Sequence, residues 1–146
     1  MGSATYYLKA EYPTGVDVQK ICDEAKKFLL EAARLEDAWQ ASRLGSTSPS
    51  QRAAELKAAF PQVWEELHLD DIRIPEDDKG MNFLAGQLCI NEELNIEAEG
   101  DTIKLSDEVW HFADWDRIAN YFMAHGAIKV RWVSDEVLDV DPFDSL

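Results

Sequence analysis

The sequence predicts an α+β fold, and three observations predict it. A long amphipathic stretch follows Asp17, apolar and polar residues alternate on both sides of Gly100-Asp101 between Leu94 and Ser106, and strand-forming runs lie at residues 4–11 and 127–133. A stripe repeating every three or four residues marks a helix lying on other structure, and a period of two marks a half-buried strand. With 146 residues, 46% of them apolar and five of them tryptophan, the chain has material for a single domain, residues 1–146, with a real core.

Residues 4–11, Ala-Thr-Tyr-Tyr-Leu-Lys-Ala-Glu, favour a strand, which Pro13 and Gly15 close. Asp17 is placed to cap a helix running to about Arg43. Its stripe is Val18, Ile21, Cys22, Ala25, Phe28, Leu29, Ala32 and Trp39, with Lys20, Lys27, Glu31 and Arg34 opposite. After a loop at 45–48, Ser48, Pro49 and Gln51 read as N-cap, first-turn proline and capping-box partner. The helix they open should partly bury Ala54, Leu56 and Phe60, and Pro61 should start a further turn or two carrying Val63, Trp64 and Leu67. Trp39, Phe60 and Trp64 are expected to form a satellite core under this pair. Residues 44–80 thus read as a helical insertion ending in an acidic loop, which lacks the alternating carboxylates and distal glutamate of a calcium loop. The apolar run 81–90, interrupted by Gly86, is expected to include a strand near Gln87 to Ile90.

Leu94, Ile96 and Ala98 alternate with Asn95, Glu97 and Glu99; Gly100-Asp101 turns the chain; Ile103 and Leu105 alternate with Lys104 and Ser106. That is a hairpin with one buried and one solvent face. Asp114 is placed to cap a helix from about Trp115 to His125, with Ile118, Ala119, Phe122 and Met123 inward and Gly126 ending it. A last strand carries Ile128, Val130 and Trp132 on one face and Lys129 and Arg131 on the other. Residues 134–146 form an acidic tail of five acids and no base, whose Val137, Leu138, Val140, Phe143 and Leu146 imply that part of it docks. Without the insertion the order is β-α-β-β-α-β, the split pattern of ferredoxin-like domains, with an antiparallel sheet and both main helices on one face. That fold hosts many unrelated functions.

Charge narrows the function more than the fold does. Twenty-nine acids against fourteen bases give a formal net charge of -15. Residues 1–64 hold eight of each, so the whole imbalance lies in residues 65–146. Such a field repels nucleic acid and anionic membranes and favours basic proteins. Cys22 and Cys89 have no metal-ligand spacing and read as buried free thiols of a reducing, cytoplasmic compartment. No apolar run approaches the roughly 20 residues of a membrane helix, and the N-terminus lacks the features of a signal peptide.

The densest mix of aromatic and acidic residues is 107–117, Asp-Glu-Val-Trp-His-Phe-Ala-Asp-Trp-Asp-Arg. His111 with Asp114 or Asp116 could be read as an acid–base or metal cluster. Asp114 is equally accounted for as a helix cap, and Asp116 suits the first turn of the same helix. His68 and His125 stand alone, and no nucleophile motif or phosphate loop is present. No cofactor, metal or catalytic set is therefore predicted. The predicted partner-binding residues are Glu92, Glu93, Glu97, Glu99, Asp101, Asp107, Glu108, Trp110, His111, Asp114, Trp115 and Asp116, an aromatic anchor among carboxylates. The expected function is non-enzymatic: an acidic inhibitor that binds a basic protein, such as a nucleic-acid-processing enzyme, and blocks its nucleic-acid groove. In size and charge the chain is similar to phage-encoded inhibitors of restriction and of CRISPR nucleases. The alternative is a housekeeping ligand- or protein-binding domain, or a small hydrolase built on His111.

Overall fold

The computed structural model describes residues 3–42, 48–72, 89–110, 113–135, 143 and 146. Its elements in order are β1 (Ser3–Glu11), α1 (Val18–Ser42), α2 (Pro49–Ala59), α3 (Pro61–Glu66), a 3₁₀ turn (Leu69–Asp71), β2 (Asn95–Glu99), β3 (Thr102–Trp110), α4 (Asp116–Ala124) and β4 (Lys129–Ser134). The four strands form one antiparallel sheet in the order β2-β3-β1-β4.

Alternation decides the two faces of that sheet. Across β1 and β3, Ala4 lies opposite Val109, Tyr6 opposite Asp107, Leu8 opposite Leu105 and Ala10 opposite Ile103, and all eight are buried. Trp132 and Val130 of β4 extend the Leu8 and Ala10 rows, and Ile96 and Ala98 of β2 face Leu105 and Ile103. Helices α1 and α4 cover this apolar face. Phe28 of α1 stacks on Tyr121 of α4 at 4.1 Å, and Tyr6 stacks on Trp132 at 5.5 Å. Each side chain such as Leu8, Leu29 or Phe122, wholly removed from water, contributes about 1.5–3 kcal/mol before entropy is counted.

Most local signals act where they were expected, the exception being Asp114, since Trp115 takes the N-cap position of α4 and makes no side-chain cap. The Asp17 carboxylate accepts the Lys20 amide at 3.2 Å, and Ser48 accepts the Gln51 amide at 3.2 Å with Pro49 in the first turn of α2. Gly100 turns the hairpin at φ 61°, which a glycine-first two-residue turn requires. Gly126, at φ 104°, follows α4.

Packing departs from the sequence reading in several places. Helix α2 buries Arg52 and Ala53 and leaves Ala54 exposed. Arg52 donates to the Trp39 carbonyl at 3.0 Å and lies 4.2 Å over the Trp39 ring, so a cation serves as the apolar contact between α1 and α2. Trp39 and Trp64 are buried in one cluster continuous with the sheet core, not in a satellite. Arg117 joins that region to α4 by donating to the carbonyls of Leu67 at 3.0 Å and His68 at 2.7 Å. Helix α4 starts at Asp116, and Tyr121 is buried where Met123 was expected; Met123 sits at the open rim between α4 and β4. Ile128 is 64% exposed because it precedes β4, past the last inward pair of Ala10 and Val130. Cys89 and Ile90 are buried but not in a strand; the rest of the expected strand and most of the acidic loop lie outside the described residues. Among the described residues no helix is long and apolar enough to cross a membrane.

Candidate functional site

Strand β3 runs four residues past the start of β2, because Asn95 pairs with Ser106 while β3 continues to Trp110. Residues 89–94 fill the space beside that overhang, and they are pinned from three directions. The Asp107 carboxylate accepts the Asn91 amide at 2.6 Å, and the Glu36 carboxylate, reaching from α1, accepts the adjacent Ile90 amide at 3.2 Å. The Asn91 side chain donates to the Glu108 carbonyl at 2.5 Å. Trp115 donates its indole N–H to the Cys89 carbonyl at 2.9 Å, and the Tyr6 hydroxyl donates to the Ala113 carbonyl at 2.8 Å.

A cleft of about 690 Å³ opens there. Among the described residues, five carboxylates line it, Asp37, Glu92, Glu93, Asp107 and Glu108, with Asn91 and Asn95 among them and no base. Arg34 approaches only from the rim, 3.7 Å from Glu92. Burial pushes the Glu36 carboxyl up to about 7; the Ile90 amide opposes this, and Asp37 and Asp107 add to it. Burial likewise raises Asp107 to about 6, against hydrogen bonds from Asn91 and Glu108 and with help from Glu93. Burial, more than the neighbouring charges, thus raises both carboxyls, and the exposed carboxylates Glu92, Glu93 and Glu108 supply the negative field that attracts a cationic side chain.

The residues predicted for a partner do not form one face. Glu92, Glu93, Asp107 and Glu108 meet in the cleft. Glu97 and Glu99 lie on β2, where Glu99 is taken up by Lys104 at 2.9 Å. Asp101 is at the hairpin turn, and its carbonyl accepts the Tyr12 amide at 2.8 Å. Two members are buried. Asp107 is 6% exposed, at an inward position of β3, and Trp115 is a fully buried core side chain. Trp110, on the opposite parity, is 44% exposed. Asp114 accepts the Asp116 amide at 2.9 Å, and Asp116 accepts the Trp132 indole N–H at 2.9 Å, so each has a structural partner. His111 lies outside the described residues, and among those described no group of three potential ligands is placed to hold a metal.

Glu36, Asp37 and Asn91 were missed. Glu36 carried a signal, since it stands four residues after Ala32 and three before Trp39, inside the apolar stripe of α1. Asp107 carried the same signal between Leu105 and Val109.

Comparison with protein-family models, curated proteins and solved structures finds no match. The functional reading rests on the site itself.

Proposed function

We propose that this protein is a non-enzymatic binding protein whose acidic cleft takes a basic surface of a partner protein, and that it acts as an inhibitor by occupying that partner's nucleic-acid groove. One observation carries the reading: five carboxylates converge on one cleft, with no base among the described residues that line it. A lysine or arginine entering it would form charge-assisted hydrogen bonds with these carboxylates. The exposed indole of Trp110, on the same β3 overhang, supplies an apolar anchor beside the charge. We further propose a single ferredoxin-like domain with a helical insertion. Supporting this, the sheet read from its other edge is β4-β1-β3-β2, so that two βαβ units interleave, each split by a strand of the other. Two buried free thiols support a reducing, cytoplasmic setting.

Affinity capture from host lysate with the intact chain tests the binding reading, alongside the charge-reversed variant E92K/E93K/E108K and a control, E55K, on the exposed side of α2. The expected result is a nucleic-acid-processing protein retained by the wild type and by E55K, released by salt, and lost by the triple variant. Equal capture by all three, or capture of nothing, would contradict it.

A further inference from the structure

The face of the sheet turned away from α1 and α4 balances its charges, four cations against four carboxylates, but gathers three of the cations in one row. In the β-sheet register Lys104 of β3 lies opposite Lys9 of β1, and Lys9 lies opposite Arg131 of β4. Three cations therefore stand in one row across three adjacent strands, with Glu97 of β2 at its end. Directly opposed side chains sit with Cβ atoms about 5 Å apart, and like charges so placed are destabilising. Lys104 is relieved by Glu99 at 2.9 Å. Lys9 and Arg131 have no ion pair or hydrogen bond among the described residues. In a chain of net charge -15, Lys9 and Arg131, without a partner among the described residues, offer a seat to an acidic occupant.

The chain carries one. From Asp135 to the C-terminus it holds five acids and no base; its Phe143 already touches this face, and Asp135 ties its start to the backbone of β1. Phe143 meets the Tyr7 ring edge-on at 5.2 Å, in the row next to the cations, and the Lys104 ammonium lies 5.5 Å from the Phe143 ring centre. The Asp135 carboxylate accepts the Thr5 amide at 3.2 Å. We propose that the open sheet face is a docking surface for an acidic, aromatic-bearing polypeptide segment, and that the chain's own C-terminal segment occupies it in cis through Phe143. The Tyr7 ring and the Lys104 ammonium form the seat for the aromatic, and Lys9 and Arg131 supply charge for the carboxylates. Any other acidic segment reaches this face only by displacing the tail. The inference does not rest on the acidic cleft, whose carboxylates are different side chains.

Hydrogen exchange on the intact chain, read by mass spectrometry, tests it. Phe143→Ala and the double reversal K9E/R131E should each speed exchange in residues 135–146 by at least about tenfold, a shift of about 1.4 kcal/mol in the docking equilibrium. Exchange in α1 and β3 should not change, and Lys9→Arg should behave as wild type. A synthetic peptide of residues 135–146 should bind the Phe143→Ala chain at least about tenfold more tightly than the wild type, whose face is already occupied. Unchanged tail exchange in Phe143→Ala would overturn the proposal, as would equal peptide binding by both chains. So would tail protection that rises with protein concentration, which would make the occupant a second copy. A preference of the Phe143→Ala chain for single-stranded oligonucleotide over the peptide would overturn it too.

Discussion

Glu36 and Asp107 are carboxylates at positions whose spacing belongs to the core, and they set the protein's response to pH. Glu36 titrates at about 7 against an ordinary 4.5, and Asp107 at about 6 against 3.8. Between about pH 4 and 7 the folded chain therefore holds more protons than the unfolded one. The sign follows directly: stability is greatest at the acidic end of this window and falls as pH rises through the folded values. Glu36→Gln keeps an acceptor for the Ile90 amide and removes the charge. At about 1.4 kcal/mol per pH unit, it should exceed the wild type by on the order of 1–3 kcal/mol at pH 8, with little difference near pH 5. Urea denaturation at both pH values checks this; an equally steep loss of stability in the variant would contradict it. Tyr12 offers a second case. Its hydroxyl is buried without a hydrogen-bond partner among the described residues, and burial pushes it up to about 12. Tyr12→Phe is expected to raise stability by about 1 kcal/mol, since it deletes an unsatisfied polar group at little cost in packing; thermal unfolding measures it. Both carboxylates were visible in the sequence as breaks in an apolar pattern. The sequence places Asp107 on the partner surface and gives Glu36 no role, because a lone carboxylate is seldom buried and the amides that hold them are found only once residues 89–91 are placed in space.

At the scale of elements, the hairpin was the most legible part of the chain, because period-two alternation and a two-residue glycine turn are both local. Gly100 is the position on which it depends, at φ 61°. Replacing it with valine should cost about 1–2 kcal/mol through the left-handed backbone that a β-branched residue resists, with no change in the helices by circular dichroism. Helix α1 was legible through its stripe and its Asp17 cap. The phase of α4 was less so: its nine residues bury Ile118, Ala119, Tyr121 and Phe122, and a helix that short defines its inner face too loosely to exclude Met123. Arg52 was not legible at all, because its site is made by Trp39, thirteen residues away. Arg52→Ala should cost about 2–4 kcal/mol, from a lost hydrogen bond and a cavity against the Trp39 ring, and chemical denaturation would register it as a lower midpoint.

Over the whole molecule, charge is arranged in two opposed zones. The carboxylates meet at the β3 overhang, and four residues back along the same strand Lys104 begins a cationic row. Net charge and its bias toward residues 65–146 could be read from composition. The division into zones could not, since it depends on strand order and on the meeting of α1 with residues 89–93. Binding through the acidic zone should weaken steeply with added salt, because its outer carboxylates are exposed to screening. The most direct measurement of the central claim is a competition titration. A fluorescent oligonucleotide is bound to the captured partner, and the intact chain is added at physiological ionic strength. The account expects the wild type to displace the oligonucleotide and E92K/E93K/E108K to need at least about tenfold more protein for the same effect. Displacement at equal concentrations by both, or none by the wild type, would contradict it.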